Sequence, residues 1–343
     1  MRLLDKLYYR NLKPDLPRIM MIEPTNACNL KCFMCDYQKQ FQGTRSYLSL
    51  KDFASIIAQF PKIKGLIFCG LGEPLLNKHI FEMVSIASQQ KIPFINLITN
   101  AVLLGEGCFK ALIKSGLTRI QISFHSTNPA LASKINGVPA EIHNLVRNNI
   151  VNALKIRNDL SPNLRVVINS VINSDNCNDL FNLIDFCEIN KVDEISFVQL
   201  TTVFGKYDSF NITEDKARLL IKEIRSRLKK SKLRVSFLSG NGAGRCYQLW
   251  NFIMIHADGN ISPCNGIMPH ENKNIGNLLR DNISNIWHSD KYIGLRSSVI
   301  KNHLENCRYC EVGYPLEGKN LQWLNNYYFK PLVRNLYSYI HNE

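Results

Sequence analysis

Six short apolar runs separated by amphipathic stretches constrain this chain more than any other feature. The runs are Ile19–Glu23, Gly65–Cys69, Phe94–Thr99, Arg119–Phe124, Arg165–Val171 and Glu194–Gln199. They have the length and β-branched content of strands buried on both faces of a parallel sheet. Helical spacing of apolar residues marks the intervals at roughly 79–90, 106–115, 141–158 and 178–190. Ser49 with Asp52 forms a capping box ahead of a further helix running to Phe60. Strands that alternate with helices pair in parallel through right-handed crossovers, either doubly wound or curled toward a barrel. Six units fall short of the eight that close a complete barrel. In either layout the chemistry is expected at the C-terminal ends of the strands. A basic helix then opens at Thr213 and runs to about Lys230, Leu233–Leu238 is a short apolar run, and Ser239–Gly244 breaks the pattern.

With 343 residues, 45% hydrophobic and 20% charged, the chain has an ordinary globular composition and room for one large domain and a small one. No run approaches the roughly 20 apolar residues of a membrane span. The segment Met1–Pro17 mixes acidic and basic residues without the apolar core of a secretory signal, so the expectation is a cytoplasmic protein. The formal charge of +14 favours an anionic partner. The excess is densest over 216–234, where nine Lys/Arg face the single acid Glu223; this reads either as a solvated helix face or as a surface for an anionic carrier or membrane.

Eleven cysteines in such a chain point to metal ligation rather than to disulfides. Cys69, Cys108, Cys177 and Cys187 are scattered among apolar residues and read as small buried hydrophobes. Cys28, Cys32 and Cys35 lie together directly after the first strand, in Glu23-Pro-Thr-Asn-Ala-Cys-Asn-Leu-Lys-Cys-Phe-Met-Cys. Three thiolates on one short loop can grip three irons of a cubane and leave the fourth iron open. A structural zinc ion would need a fourth ligand, and the nearest further cysteine, Cys69, is on the next strand.

This stretch resembles the CxxxCxxC signature of the radical S-adenosylmethionine (SAM) superfamily, in which the open iron chelates the amino and carboxylate groups of SAM. Gly70-Leu-Gly72-Glu73-Pro74, after the second strand, resembles that family's glycine–glutamate–proline motif, although Leu71 replaces a customary glycine. Glycine permits close backbone approach to a ligand, and a carboxylate can accept from an ammonium. Thr99-Asn100 after the third strand and Ser123 on the fourth match further positions lining SAM. Ser123 and the neighbouring His125 also suit turn or satisfied polar roles.

A second cluster of cysteines comprises Cys246, Cys264, Cys307 and Cys310. Asp258-Gly259-Asn260 reads as a hairpin turn that brings Cys246 and Cys264 together. With Ile275-Gly-Asn-Leu278, Ile286-Trp287 and the terminal Cys-x2-Cys, this region is similar to the auxiliary-cluster domain of the SPASM/Twitch subfamilies. Four ligands suit one fully ligated 4Fe-4S cluster, and also suit tetrahedral zinc. The resemblance implies an α/β fold: a partial (β/α)6 radical SAM barrel with a small C-terminal cysteine-rich auxiliary-cluster domain. Its expected segments are an N-terminal stretch over 1–17, the core over 18–205, the basic helix and connecting strand over 206–240, the auxiliary domain over 241–315 and an aromatic, basic tail over 316–343.

The implied chemistry is reductive cleavage of SAM to methionine and a 5′-deoxyadenosyl radical, which abstracts hydrogen from a substrate. A fully ligated second cluster suits electron acceptance or site organisation. The resemblance therefore implies an oxidoreductase with SAM and two 4Fe-4S clusters, supplied by a one-electron donor such as flavodoxin or ferredoxin. The substrate expected first is an anionic, carbohydrate-like or nucleotide-linked small molecule, and second a peptide or protein. Nucleic acid is not expected as a partner, because RNA-methylating relatives need further reactive cysteines. A non-catalytic iron–sulfur carrier is disfavoured by the SAM motifs.

Overall fold

The structure, a computed structural model, describes residues 11–35, 44–200, 210, 212–238, 248–264 and 275–300. Its strands are β1 Ile19–Ile22, β2 Gly65–Phe68, β3 Phe94–Thr99, β4 Arg119–Ser123, β5 Arg165–Ile172, β6 Glu194–Gln199, β7 Arg234–Leu238, β8 Phe252–Ile255 and β9 Ile261–Ser262. They form one sheet in the order β7-β6-β5-β4-β3-β2-β1-β8-β9. From β1 to β7 the order is sequential and every pair is parallel. Right-handed crossovers that always step the same way put all their helices on one side, which is the singly wound, barrel-like alternative rather than the doubly wound one.

The sheet extends beyond the six expected units at both edges. The run 234–238 adds β7 in parallel beside β6. At the other edge β8 pairs in parallel with β1, matching Ile19 to Phe252 and Ile22 to Ile255, and β9 folds back antiparallel. The hairpin between β8 and β9 turns at Gly259, whose φ of +82° suits glycine, as the Asp-Gly-Asn sequence indicated.

The helices that pack on the sheet are Leu50–Ala58, Ile80–Gln89, Glu106–Lys114, Ala140–Leu160, Leu180–Ile189 and Glu214–Arg227. Ser49 caps the first, accepting from the Asp52 amide at 3.0 Å and donating to its carboxylate at 2.7 Å. Their apolar sides join one core with Ile22, Leu66, Phe68, Leu97, Ile122, Ile168 and Ile195. The helices not read from the sequence are Gln248–Asn251, Ile283–Trp287, Asp290–Ile300 and Pro129–Asn136, the last with Asn128 as N-cap and Pro129 in its first turn. This last helix ends at Gly137, in the left-handed region at φ +64°.

The strands are not apolar on both faces, and this corrects the sequence reading. Residues in register across a sheet share a face. Ser123, Asn169, Ser196 and Ser236 form one such row, and Gln121, Val167 and Glu194 form the next. This face lies opposite the helix-packed core and is polar. The period-two polar residues inside otherwise apolar runs are the signal for it.

Residues 11–18 bind the C-terminal part of the chain to the sheet. Trp287 donates from Nε1 to the Asp15 carbonyl at 2.9 Å, and Trp250 to that of Asn11 at 2.9 Å. Arg296 is wholly buried, with its guanidinium 4.4 Å from the Trp287 ring centroid. It donates to the carbonyls of Leu12, Trp287 and Leu249 at 2.8–2.9 Å. Among the described residues no helix is long and apolar enough to cross a membrane.

Candidate active site at the C-terminal strand ends

Cys28, Cys32 and Cys35 lie on the loop that leaves β1 and reach the end of the sheet at which catalysis was expected. All three are half-buried. Neighbouring backbone clamps this loop. The Glu73 amide donates to the Ala27 carbonyl at 2.8 Å, and the amides of Lys31 and Phe33 donate to the carbonyls of Asn136 and Ile135 at 3.2 and 3.0 Å. The missed helix 129–136 therefore has a function in the site, because its C-terminus holds the cysteine loop.

The Gly70–Pro74 motif, Thr99 and Asn100 converge on that loop. Glu73 is 3% exposed, and its carboxylate accepts from the Thr99 hydroxyl at 2.7 Å, the Asn100 amide at 2.8 Å and the Leu75 amide at 3.1 Å. Burial raises its carboxyl above the usual range, and these three donors pull the other way. Glu73 thus ties the second and third strand ends together as well as lying beside the cysteines. The Asn100 side chain donates to Asn29 Oδ1 at 2.7 Å, and its nitrogen is 4.0 Å from the Cys28 sulfur. Gly72 packs so tightly that a Cβ there would lie 2.3 Å from the Thr25 carbonyl and 2.4 Å from that of Ala27. Pro74 is buried and opens a short 3-10 turn. Ser123 sits further along, in register with Asn169 on the polar face.

By their chemistry the three thiols match the donors of an iron–sulfur cubane, although among the described residues no three such side chains are gathered closely enough to hold a single metal ion. Burial, reinforced by the neighbouring Cys35 and Cys28, pushes the Cys32 thiol up to about 12. Burial also raises Cys28, with Glu73 and Cys35 adding to the effect. Three adjacent thiolates in this setting require a compensating cation, which bound iron supplies. Cys69 is a neighbour rather than a member of the set: burial first, then Glu23 and Glu73, push its thiol up to about 12. Cys177 and Cys187 are buried in the core as expected, whereas Cys69 and Cys108 are only partly so. In the second cluster, Cys264 follows β9 and is half-buried; Cys246, Cys307 and Cys310 lie outside the described residues.

The polar face runs from the site to the other end of the sheet. There Arg119 and Glu194, the first residues of β4 and β6 and both almost fully buried, approach to 3.7 Å, and Ser236 donates to Glu194 at 3.0 Å. Among the described residues, the side-chain oxygens of Asn96 and Asn169 are buried without a hydrogen-bond partner. Unpaired buried acceptors are costly, which makes this face ready for a ligand bearing donors.

His125 follows β4 and is 5% exposed. Its Nδ1 accepts from the Val171 amide at 3.2 Å, which leaves the proton of the neutral ring on Nε2. Burial lowers its pKa from 6.5 to about 4. The unfolded chain therefore binds more protons in that interval, and stability falls as pH drops through it. We expect His125 to cost the fold about 1 kcal/mol between pH 7.5 and 5.5. Denaturation midpoints at the two pH values should converge in His125→Gln; equal pH sensitivity in both proteins would refute the assignment.

Comparisons with known proteins place the chain in a family. The family model of the radical SAM superfamily matches residues 22–172, and that of an iron–sulfur cluster-binding domain, SPASM, matches residues 246–311. A probable GTP 3′,8-cyclase of Sulfolobus acidocaldarius is 30% identical over 223 residues, covering 62% of this chain and 68% of that protein. A PqqA peptide cyclase of Gluconobacter oxydans is 30% identical over 126 residues, 36% of this chain and 35% of its own. Streptococcus suis SuiB bound to S-adenosylmethionine superposes with a TM-score of 0.70 at 20% identity, covering 87% of this chain and 73% of SuiB. The chain belongs to the radical SAM superfamily and carries a C-terminal SPASM iron–sulfur domain. Its cofactors are accordingly SAM and 4Fe-4S clusters.

Proposed function

We propose that this enzyme oxidises or otherwise modifies a polar small molecule, carbohydrate-like or nucleotide-linked, held against the polar face of the sheet. The observation behind this reading is the row Ser123, Asn169 and Ser196, toward the C-terminal ends of β4, β5 and β6, where the Asn169 side-chain oxygen is a buried acceptor without a partner. Hydroxyl and amine groups of a sugar-like substrate match these acceptors, and the net charge of +14 favours a phosphorylated one. The relationship to a GTP 3′,8-cyclase, a protein named for a nucleotide substrate, supports the same class.

Cys28, Cys32 and Cys35 would hold the cluster that supplies the radical when reduced in the presence of SAM. The chain's own part is positional. The Gly70–Pro74 loop, Thr99 and Asn100 hold the cysteine loop in place. The polar face would orient the substrate, and the helix-covered sheet behind it keeps water out. Asp179, which accepts from the Thr127 amide at 2.7 Å, fixes the loop after β4 at the rim of this face.

A second reading, modification of a peptide, is favoured by the relationship to PqqA peptide cyclase and by the fold shared with SuiB, which has been crystallised with its precursor peptide SuiA. Untargeted comparison of metabolites and of small peptides, in strains with and without the gene, separates the two. Accumulation of an unmodified phosphorylated or sugar-like compound in the deletion strain supports the first reading. A peptide whose mass changes with the gene, and no such compound, replaces it with the second.

A further inference from the structure

Glu23 has no part in the site as derived above, yet its carboxylate is buried beside it and bridges two loops. It follows β1 directly and is 2% exposed. Its Oε2 accepts from the Leu71 amide at 2.6 Å, inside the Gly70–Pro74 motif. A Cβ on Gly70 would lie 2.4 Å from both Cγ and Oε2 of Glu23, so the carboxyl group fills the space that the glycine leaves. Its Oε1 accepts from the Ala257 amide at 3.3 Å and lies 3.8 Å from Nδ1 of His256. Both residues belong to the hairpin between β8 and β9. The Glu23 amide completes the attachment by donating to the Ile255 carbonyl at 2.8 Å.

On the hairpin the contacts continue. His256 is 4% exposed, and its Nε2 is 2.9 Å from the Ser262 hydroxyl. Ser262 precedes Cys264 by two residues. A file of polar groups thus runs from the Leu71 amide through Glu23, His256 and Ser262 toward Cys264, with hydrogen-bond distances at both ends and a longer 3.8 Å approach between Glu23 and His256. Sheet pairing between β1 and β8 does not require it, since backbone hydrogen bonds and apolar side chains already join those strands. A buried carboxylate is costly unless its partners are all in place, so each partner is held in turn.

We propose that Glu23 is a positioning residue that couples occupancy of the SAM-binding loop to the environment of the auxiliary cluster, through His256 and Ser262. This rests on reading Cys264 as a ligand of that cluster. When SAM settles on the loop, the Leu71 amide and its acceptor adjust together, and the hairpin bearing Cys264 adjusts with them. By thermodynamic reciprocity, the redox state of the auxiliary cluster changes SAM affinity by the same factor that SAM changes the cluster's reduction equilibrium.

The test is a potentiometric titration of the reconstituted full-length protein, followed by electron paramagnetic resonance (EPR), with and without SAM. In wild type we expect SAM to change the reduction equilibrium of the auxiliary cluster threefold to tenfold, a shift of about 30 to 59 mV for a one-electron couple. In His256→Gln the hairpin link is broken without touching the SAM loop. The shift should then disappear while the Kd for SAM stays within about twofold. Ser262→Ala should behave in the same way, and Glu23→Gln should lose both the shift and some SAM affinity. His256→Gln carries the test even if Glu23→Gln fails to fold. An iron cluster whose potential ignores SAM in wild type overturns the proposal, as does an equal shift in His256→Gln. Zinc in place of iron at the second site would overturn it differently, by removing the reading of Cys264 on which it rests.

Discussion

Replacing Cys28, Cys32 and Cys35 together with alanine will reduce 5′-deoxyadenosine formation under dithionite to background. The three thiols share one loop and as thiolates repel one another, since Cys35 and Cys28 both raise the Cys32 thiol in addition to its burial, so they ionise together only around a cation. None of the neighbouring side chains can replace them. Cys69 belongs to the following strand and faces the Glu23 and Glu73 carboxylates, and Asn100 is an amide. The loss should be accompanied by a fall from about eight irons per chain to about four, because the second cluster has its own ligands. The fold should survive, since the loop's attachments are made by the backbone of Ala27, Lys31 and Phe33 and not by the thiols. Iron analysis and the assay on the purified variant check both statements. Undiminished 5′-deoxyadenosine would remove the cluster from this loop.

Gly72→Ala should be nearly as damaging, by a different route. The added methyl would meet the Thr25 and Ala27 carbonyls at 2.3 and 2.4 Å and the Asn26 carbonyl carbon at 2.7 Å. All three atoms are backbone of the cysteine loop, so no rotamer change relieves the clash. Either the 2.8 Å hydrogen bond from the Glu73 amide to Ala27 breaks or the loop moves as a unit. Overpacking of this kind costs roughly 1–3 kcal/mol, and more where only backbone can yield. SAM affinity should fall at least about tenfold, equivalent to about 1.4 kcal/mol. The control is Gly107→Ala, in the helix Glu106–Lys114, where a Cβ meets nothing within 4 Å. There the substitution should stabilise the protein by up to about 1 kcal/mol through helix propensity. Denaturation midpoints and SAM titration decide it; Gly72→Ala with wild-type values in both would show that the two loops are not packed as described.

Local sequence signals were legible wherever the chain's own neighbours determine the outcome. Ser49 and Asp52 form the expected cap, Gly259 makes the expected turn, and strand positions agree to within a residue or two. These features depend on a few adjacent residues and on period-two or helical spacing. The radical SAM core was legible for a related reason, because Cys28 to Cys35 and Gly70 to Pro74 are contiguous motifs at the ends of readable strands.

What was missed depends on partners distant in sequence. Nothing near Phe252–Ile255 indicates that it will lie beside Ile19–Ile22, more than two hundred residues away, and that pairing is what brings His256 to Glu23. Glu23 itself resembles any acid at the end of a strand until both flanking loops are placed. The helix Pro129–Asn136 was hidden by its brevity and by the proline at its start. Asn96, Gln121 and Asn169 interrupt apolar runs at alternate positions, yet only the sequential strand order shows that this periodicity marks one continuous polar face.

The basic helix Glu214–Arg227 offers Lys216, Arg218 and Lys222 to solvent, while Arg227 pairs with Asp185 and Glu188 at 2.9 and 2.8 Å. Such exposure suits a solvated helix face and a surface for an anionic carrier alike.

A cluster held by Cys28, Cys32 and Cys35 alone keeps an iron open for SAM, and the EPR spectrum of the dithionite-reduced enzyme before and after SAM is added reads this out. One of two cluster signals should change its g values on addition of SAM, and this responsive signal should be the one absent from the Cys28, Cys32, Cys35 triple alanine variant. A spectrum unaltered by saturating SAM, or a responsive signal that persists in the triple variant, would contradict it.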